Sequence, residues 1–120
     1  MKKIVILLLF SFISLFAFEE LNADNFDEKI KGKKVIVDFH QKWWHACQAL
    51  GKSLQKYNAS KTDDITIYKV DLAKEKSLEK RFGVIAFPAV FYINDGEVMA
   101  VEYGSRTAKE LDENVKYYFK

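Results

Sequence analysis

Residues 35–48 read Val35-Ile36-Val37-Asp38-Phe39-His40-Gln41-Lys42-Trp43-Trp44-His45-Ala46-Cys47-Gln48. The run Val35 to Phe39 is β-branched and apolar apart from one acid, which suits a strand buried on both faces. A polar and aromatic loop follows. A helix is expected to start near Trp44 or His45, because Cys47, Leu50, Leu54 and Tyr57 then recur at steps of three, four and three and form one apolar stripe. Gly51 inside that helix costs about 1 kcal/mol relative to alanine. The stretch is thus strand, loop and helix, with the chain's single cysteine one turn beyond the loop.

On the N-terminal side, Lys2 and Lys3 precede an apolar run from Ile4 to Phe16, broken only by Ser11 and Ser14 and followed by Ala17. This is the pattern of a cleaved secretory signal peptide, and the run is short for a membrane span, which needs about 20 apolar residues. Residues 1–17 are expected to be the signal and residues 18–120 one domain, exported to a bacterial periplasm. A retained N-terminal anchor is the alternative. Without Lys2 and Lys3 the 19 basic residues fall to 17, equal to the 17 acidic ones, so the remaining body is formally neutral. Nothing in that balance suggests a nucleic-acid surface. About 100 residues suffice for one core, and 49% hydrophobic and 15% aromatic content argues against disorder. With one cysteine there is no internal disulfide.

Further along, Phe18 to Leu21 can form a short strand. Asp24 to Lys31 reads as a helix ended by Gly32. Asn58 to Asp64 reads as a polar loop, Ile65 to Leu72 as a second buried strand, and Lys74 to Phe82 as a helix closed by Gly83. Val90 to Ile93 and Val98 to Tyr103 are strands joined at Asn94-Asp95-Gly96, a hairpin signal. Thr107 and Glu110 have capping-box spacing ahead of a helix carrying Leu111, Val115 and Tyr118. The order βαβαβαββα joins a parallel βαβ half to an antiparallel hairpin and a last helix.

This order, with these residues, resembles the thioredoxin family from about Phe18 to Phe119. Val37-Asp38-Phe39 is similar to the strand that leads into the family's active site, with its buried acid. Trp43 matches the tryptophan before the redox motif, and Lys69 falls where the family often places a lysine near that acid. Phe82-Gly83-Val84 followed by Phe87-Pro88-Ala89 resembles the segment carrying a cis-proline, and Pro88 is the only proline present. The resemblance implies a three-layer α/β fold around a mixed sheet, thiol–disulfide exchange with proteins or peptides, a membrane redox partner, a monomer, and no cofactor. The motif departs from the family at Trp44-His45-Ala46-Cys47: Cys47 stands where the second sulfur belongs, and Trp44 stands where the attacking one belongs.

Trp44 has no ionisable group and cannot form the thiolate that attacks a disulfide. Dithiol cycling within the chain is therefore not expected. Cys47 is either a buried, inert thiol or a monothiol that forms one intermolecular disulfide. Trp44 is either an anchor for an apolar partner or a plain loss of the nucleophile. Asp38 is either the proton acceptor for Cys47 or a structural partner of Lys69. Trp43, Phe87 and Pro88 could flank a groove in which the backbone of Phe87 pairs with an extended peptide. His40, His45 and Cys47 lack the spacing of a zinc site, so no metal is expected.

Overall fold

The computed structural model describes residues 18–120; the expected signal segment lies outside the described residues. Nine elements follow in order: β1 (Glu19–Glu20), α1 (Phe26–Ile30), β2 (Lys34–His40), α2 (His45–Ser60), β3 (Thr66–Asp71), α3 (Lys76–Arg81), β4 (Ala89–Asn94), β5 (Glu97–Tyr103) and α4 (Ala108–Tyr118). The five strands form one mixed sheet in the order β1-β3-β2-β4-β5. β1 and β2 run parallel to β3, whereas β2–β4 and β4–β5 are antiparallel. This is the expected α/β arrangement, a parallel half joined to a hairpin and a final helix.

Strand alternation gives two apolar layers. Val35, Val37, Phe39, Phe91 and Ile93 pack with Phe26, Ile30 and Leu78 on one face. Ile36, Ile67, Val90 and Tyr92 pack with Leu50, Leu54, Tyr57, Leu111 and Val115 on the other. The stripe read from Cys47 to Tyr57 is therefore the face that α2 buries. At the hairpin Asp95 and Gly96 both adopt positive φ, +48° and +83°, as a tight turn with right-handed strands requires. Asp95 Oδ1 also accepts the Gly32 N–H at 2.6 Å, which ties the hairpin to the turn before β2. The capping box forms as expected: Glu110 N–H donates to Thr107 Oγ1 and Thr107 N–H to Glu110 Oε1.

Three helix boundaries differ from the sequence reading by two residues or more. α1 starts at Phe26 and not Asp24, because Asn22 Oδ1 accepts the N–H groups of Asp24 and Asn25 and holds those residues in a turn. α2 continues through Asn58, Ala59 and Ser60, which were expected in a loop. There Ser60 Oγ bonds back to the Lys56 carbonyl, and the Lys61 N–H closes the helix on Tyr57 O. α3 starts at Lys76 and not Lys74, because the Asp71 carbonyl and carboxylate take the N–H groups of Ala73, Lys74 and Glu75. Polar side chains bonding to nearby backbone decide all three ends, and residue periodicity does not register them.

Candidate functional site

The loop between β2 and α2 places its chemistry at one end of the sheet. Asp38 and His40 are in phase with Ile36 and so face α2. Lys69 lies directly across from Asp38 in the parallel β2–β3 register. Asp38 is 6% exposed, and its Oδ1 has no hydrogen-bond partner. Burial pushes the Asp38 carboxyl up to about 7, with the Lys69 charge opposing that rise. His40 is 8% exposed with Nε2 likewise unpartnered. Burial lowers its pKa, with Asp71 acting in the opposite direction.

Cys47 sits one turn into α2 and is 5% exposed. Its Sγ accepts the Gln41 N–H at 3.4 Å. Burial pushes the thiol up, and the Asp38 charge adds to this, while the Gln41 N–H favours the thiolate. Trp44 is the N-cap, in extended conformation and without a side-chain cap bond. The Trp44 N–H donates to the Gln41 carbonyl, and the Gln48 side chain donates to the Lys42 carbonyl, which closes the loop over Cys47. His45 is exposed and Ala46 half-buried.

The opposite wall is the segment before β4. The Phe87–Pro88 peptide bond is cis, and Pro88 is buried, with its carbonyl accepting the Gly104 N–H. The Trp44 ring meets Phe87 edge to face, with centroids 5.6 Å apart at 82°. Trp43 and Ile85 are 87% and 86% exposed, so an apolar surface rims the loop. Ile85 was not singled out from the sequence; an isoleucine between Gly83 and Pro88, outside any strand pattern, was the available signal. The structure thus brings Trp44 and Phe87 together, and Asp38 and Lys69 together. Among the described residues no group of three His, Cys, Asp or Glu side chains could hold a metal ion.

A five-stranded mixed sheet with helices on both faces and a cysteine in the first turn of its long helix defines a thiol–disulfide oxidoreductase-like fold. The thioredoxin family model matches residues 17–117, and the chain belongs to the thioredoxin family. It is similar to a thioredoxin of Listeria monocytogenes, 26% identical over 100 residues that cover 83% of this chain and 97% of the relative. A probable thioredoxin-2 of Caenorhabditis elegans is 29% identical over 97 residues, 79% of this chain and 67% of that protein. Protein disulfide isomerase-like 2-2 of rice is 30% identical over 101 residues, 81% of this chain but 27% of its own length.

Proposed function

We propose that this protein is an exported thioredoxin-family member in which dithiol exchange has been lost, so that any thiol chemistry rests on Cys47. One observation carries this reading: at the helix start the exposed side chain is Trp44, while the chain's one thiol, Cys47, is 95% buried. A disulfide exchanger needs an accessible thiolate at that helix N-terminus. In Trp44 the attacking position holds a ring without an ionisable group. Asp38 is then the proton acceptor for Cys47, Lys69 biases the charge of Asp38, and Pro88 shapes the groove. Lys2 and Lys3 ahead of the apolar run support export to a periplasm. The family relationship supports protein disulfides and thiols as partners of a monomeric chain, and a membrane redox partner for its lineage.

A second reading is a redox-inactive module that holds peptides. The edge-to-face Trp44–Phe87 pair beside exposed Trp43 and Ile85 favours it. A reductase assay on a protein disulfide, run with and without alkylation of Cys47, tests both. Turnover is expected at background, and robust multiple turnover overturns the proposal. If a bound peptide survives alkylation, the binding module is the better reading; if alkylation abolishes binding, the monothiol reading is.

A further inference from the structure

Between the β2–α2 loop, α2 and β3 lies a cavity of about 180 Å³ lined by Lys42, Asp38, His40, Cys47, Gly51 and Lys69, among others. A water needs only about 10–15 Å³ of such space, so this volume admits a small organic molecule. Three independent features converge there. Two side chains more than nine-tenths buried, Asp38 and His40, line it with polar atoms that no protein group satisfies, and such atoms call for a ligand or water. Gly51 stands in the middle of α2 despite its cost in helix propensity, and a Cβ built there meets nothing within 4 Å. The cavity also reaches Cys47, whose side chain is otherwise buried.

Resting on the reading of Cys47 as the one remaining thiol, we infer that this cavity is a binding site for a small anionic disulfide, which forms a mixed disulfide with Cys47. Lys42 and Lys69 supply two ammonium groups to its lining, against the single carboxyl of Asp38, so carboxylate-bearing reagents are favoured over cationic ones. The step balances within the site. Cys47 Sγ–H loses its proton to the Asp38 carboxylate, and the thiolate attacks one sulfur of R–S–S–R. The S–S bond of the reagent breaks, its electron pair leaves on the distal sulfur, and that sulfur is protonated to R–SH. Cys47 is oxidised to Cys47–S–S–R and one reagent sulfur is reduced. The raised pKa of Cys47 slows the step, and the Gln41 N–H steadies the developing thiolate.

The test uses 3,3′-dithiodipropionate and cystamine, two disulfides of similar size and opposite charge. Adduct formation at pH 7 is followed by intact mass after acid quench. Each rate is divided by that of the same reagent on the urea-unfolded chain. The folded protein should gain one adduct per chain and prefer the dianion about fivefold, as expected for one ion pair. Lys69→Gln should bring the two rates close to parity. Gly51→Leu, which fills open space in a helix, should slow both reagents at least about fivefold while the fold is retained. No adduct on the folded chain, equal rates for both charges, or an unchanged rate in Gly51→Leu each overturn the inference. Those failures are separable from failure of the functional reading, which turnover of a protein disulfide would show.

Discussion

At the residue scale, Asp38 sets a measurable pH dependence. Its carboxyl rises from 3.8 to about 7 on folding, through burial. A raised acid favours the protonated native state, so the stability it contributes is present below about pH 4 and lost as pH rises through 7. Each pH unit of that window carries about 1.4 kcal/mol. Asp38→Asn removes the dependence. The variant should match the wild type near pH 4 and exceed it by roughly 2–4 kcal/mol at pH 8, measured by urea unfolding at both values. A variant less stable than wild type at pH 8 would mean that the carboxylate is better accommodated than its burial implies. His40 acts in the opposite direction. Its lowered pKa contributes stability that is present above about 6.5 and lost as pH falls.

Cys47 gives a second expectation at this scale. Burial and a raised pKa keep its thiolate scarce. Iodoacetamide at pH 7 should therefore modify the folded chain at least about tenfold more slowly than the unfolded one. Equal rates would contradict the scarcity of the thiolate on the folded chain. The acid, the cysteine and the tryptophan pair were legible as single residues, because type and spacing identify them. The burial of His40 was not. The apolar run stops at Phe39, and only the six-residue pairing of β2 with β3, which includes His40 opposite Asp71, shows that the strand continues.

At the element scale, α2 connects the site to the second core layer through Leu50, Leu54 and Tyr57. Gly51 is its weakest position. Gly51→Ala adds a methyl group where nothing lies within 4 Å and should stabilise the fold by about 1 kcal/mol, raising Tm by about 4–8 °C. Calorimetry checks this, and an unchanged or lower Tm would mean that the position holds something the chain needs. Element existence and order were legible throughout, since periodicity and turn residues such as Asp95-Gly96 report on them directly. Element ends were less so. Asn22, Ser60 and Asp71 move the ends of α1, α2 and α3 through side-chain to backbone bonds, and apolar periodicity carries no trace of those.

At the scale of the whole molecule, the family's architecture is complete and holds a single cysteine. The mixed sheet, the buried acid opposite a lysine, and Phe87–Pro88 beside the loop are all in place around a single cysteine. Two features lie beyond any local pattern: the contact of Trp44 with Phe87 across 43 residues of chain, which the family resemblance sets on one groove, and the cavity that reaches Cys47. Both form between elements distant in sequence, and no local pattern encodes them. If the scaffold is intact and position 44 alone is at fault, one substitution should restore function, because cysteines three apart at a helix start can reach disulfide geometry, with Cα atoms about 5.5 Å apart. The most direct test compares turnover of a protein disulfide by the wild type and by Trp44→Cys under the same reductant. The wild type should stay at background. The variant should turn over repeatedly, and on mild oxidation it should lose both free thiols without dimerising. Turnover by the wild type, or a variant whose two thiols both still titrate after oxidation, would contradict the account.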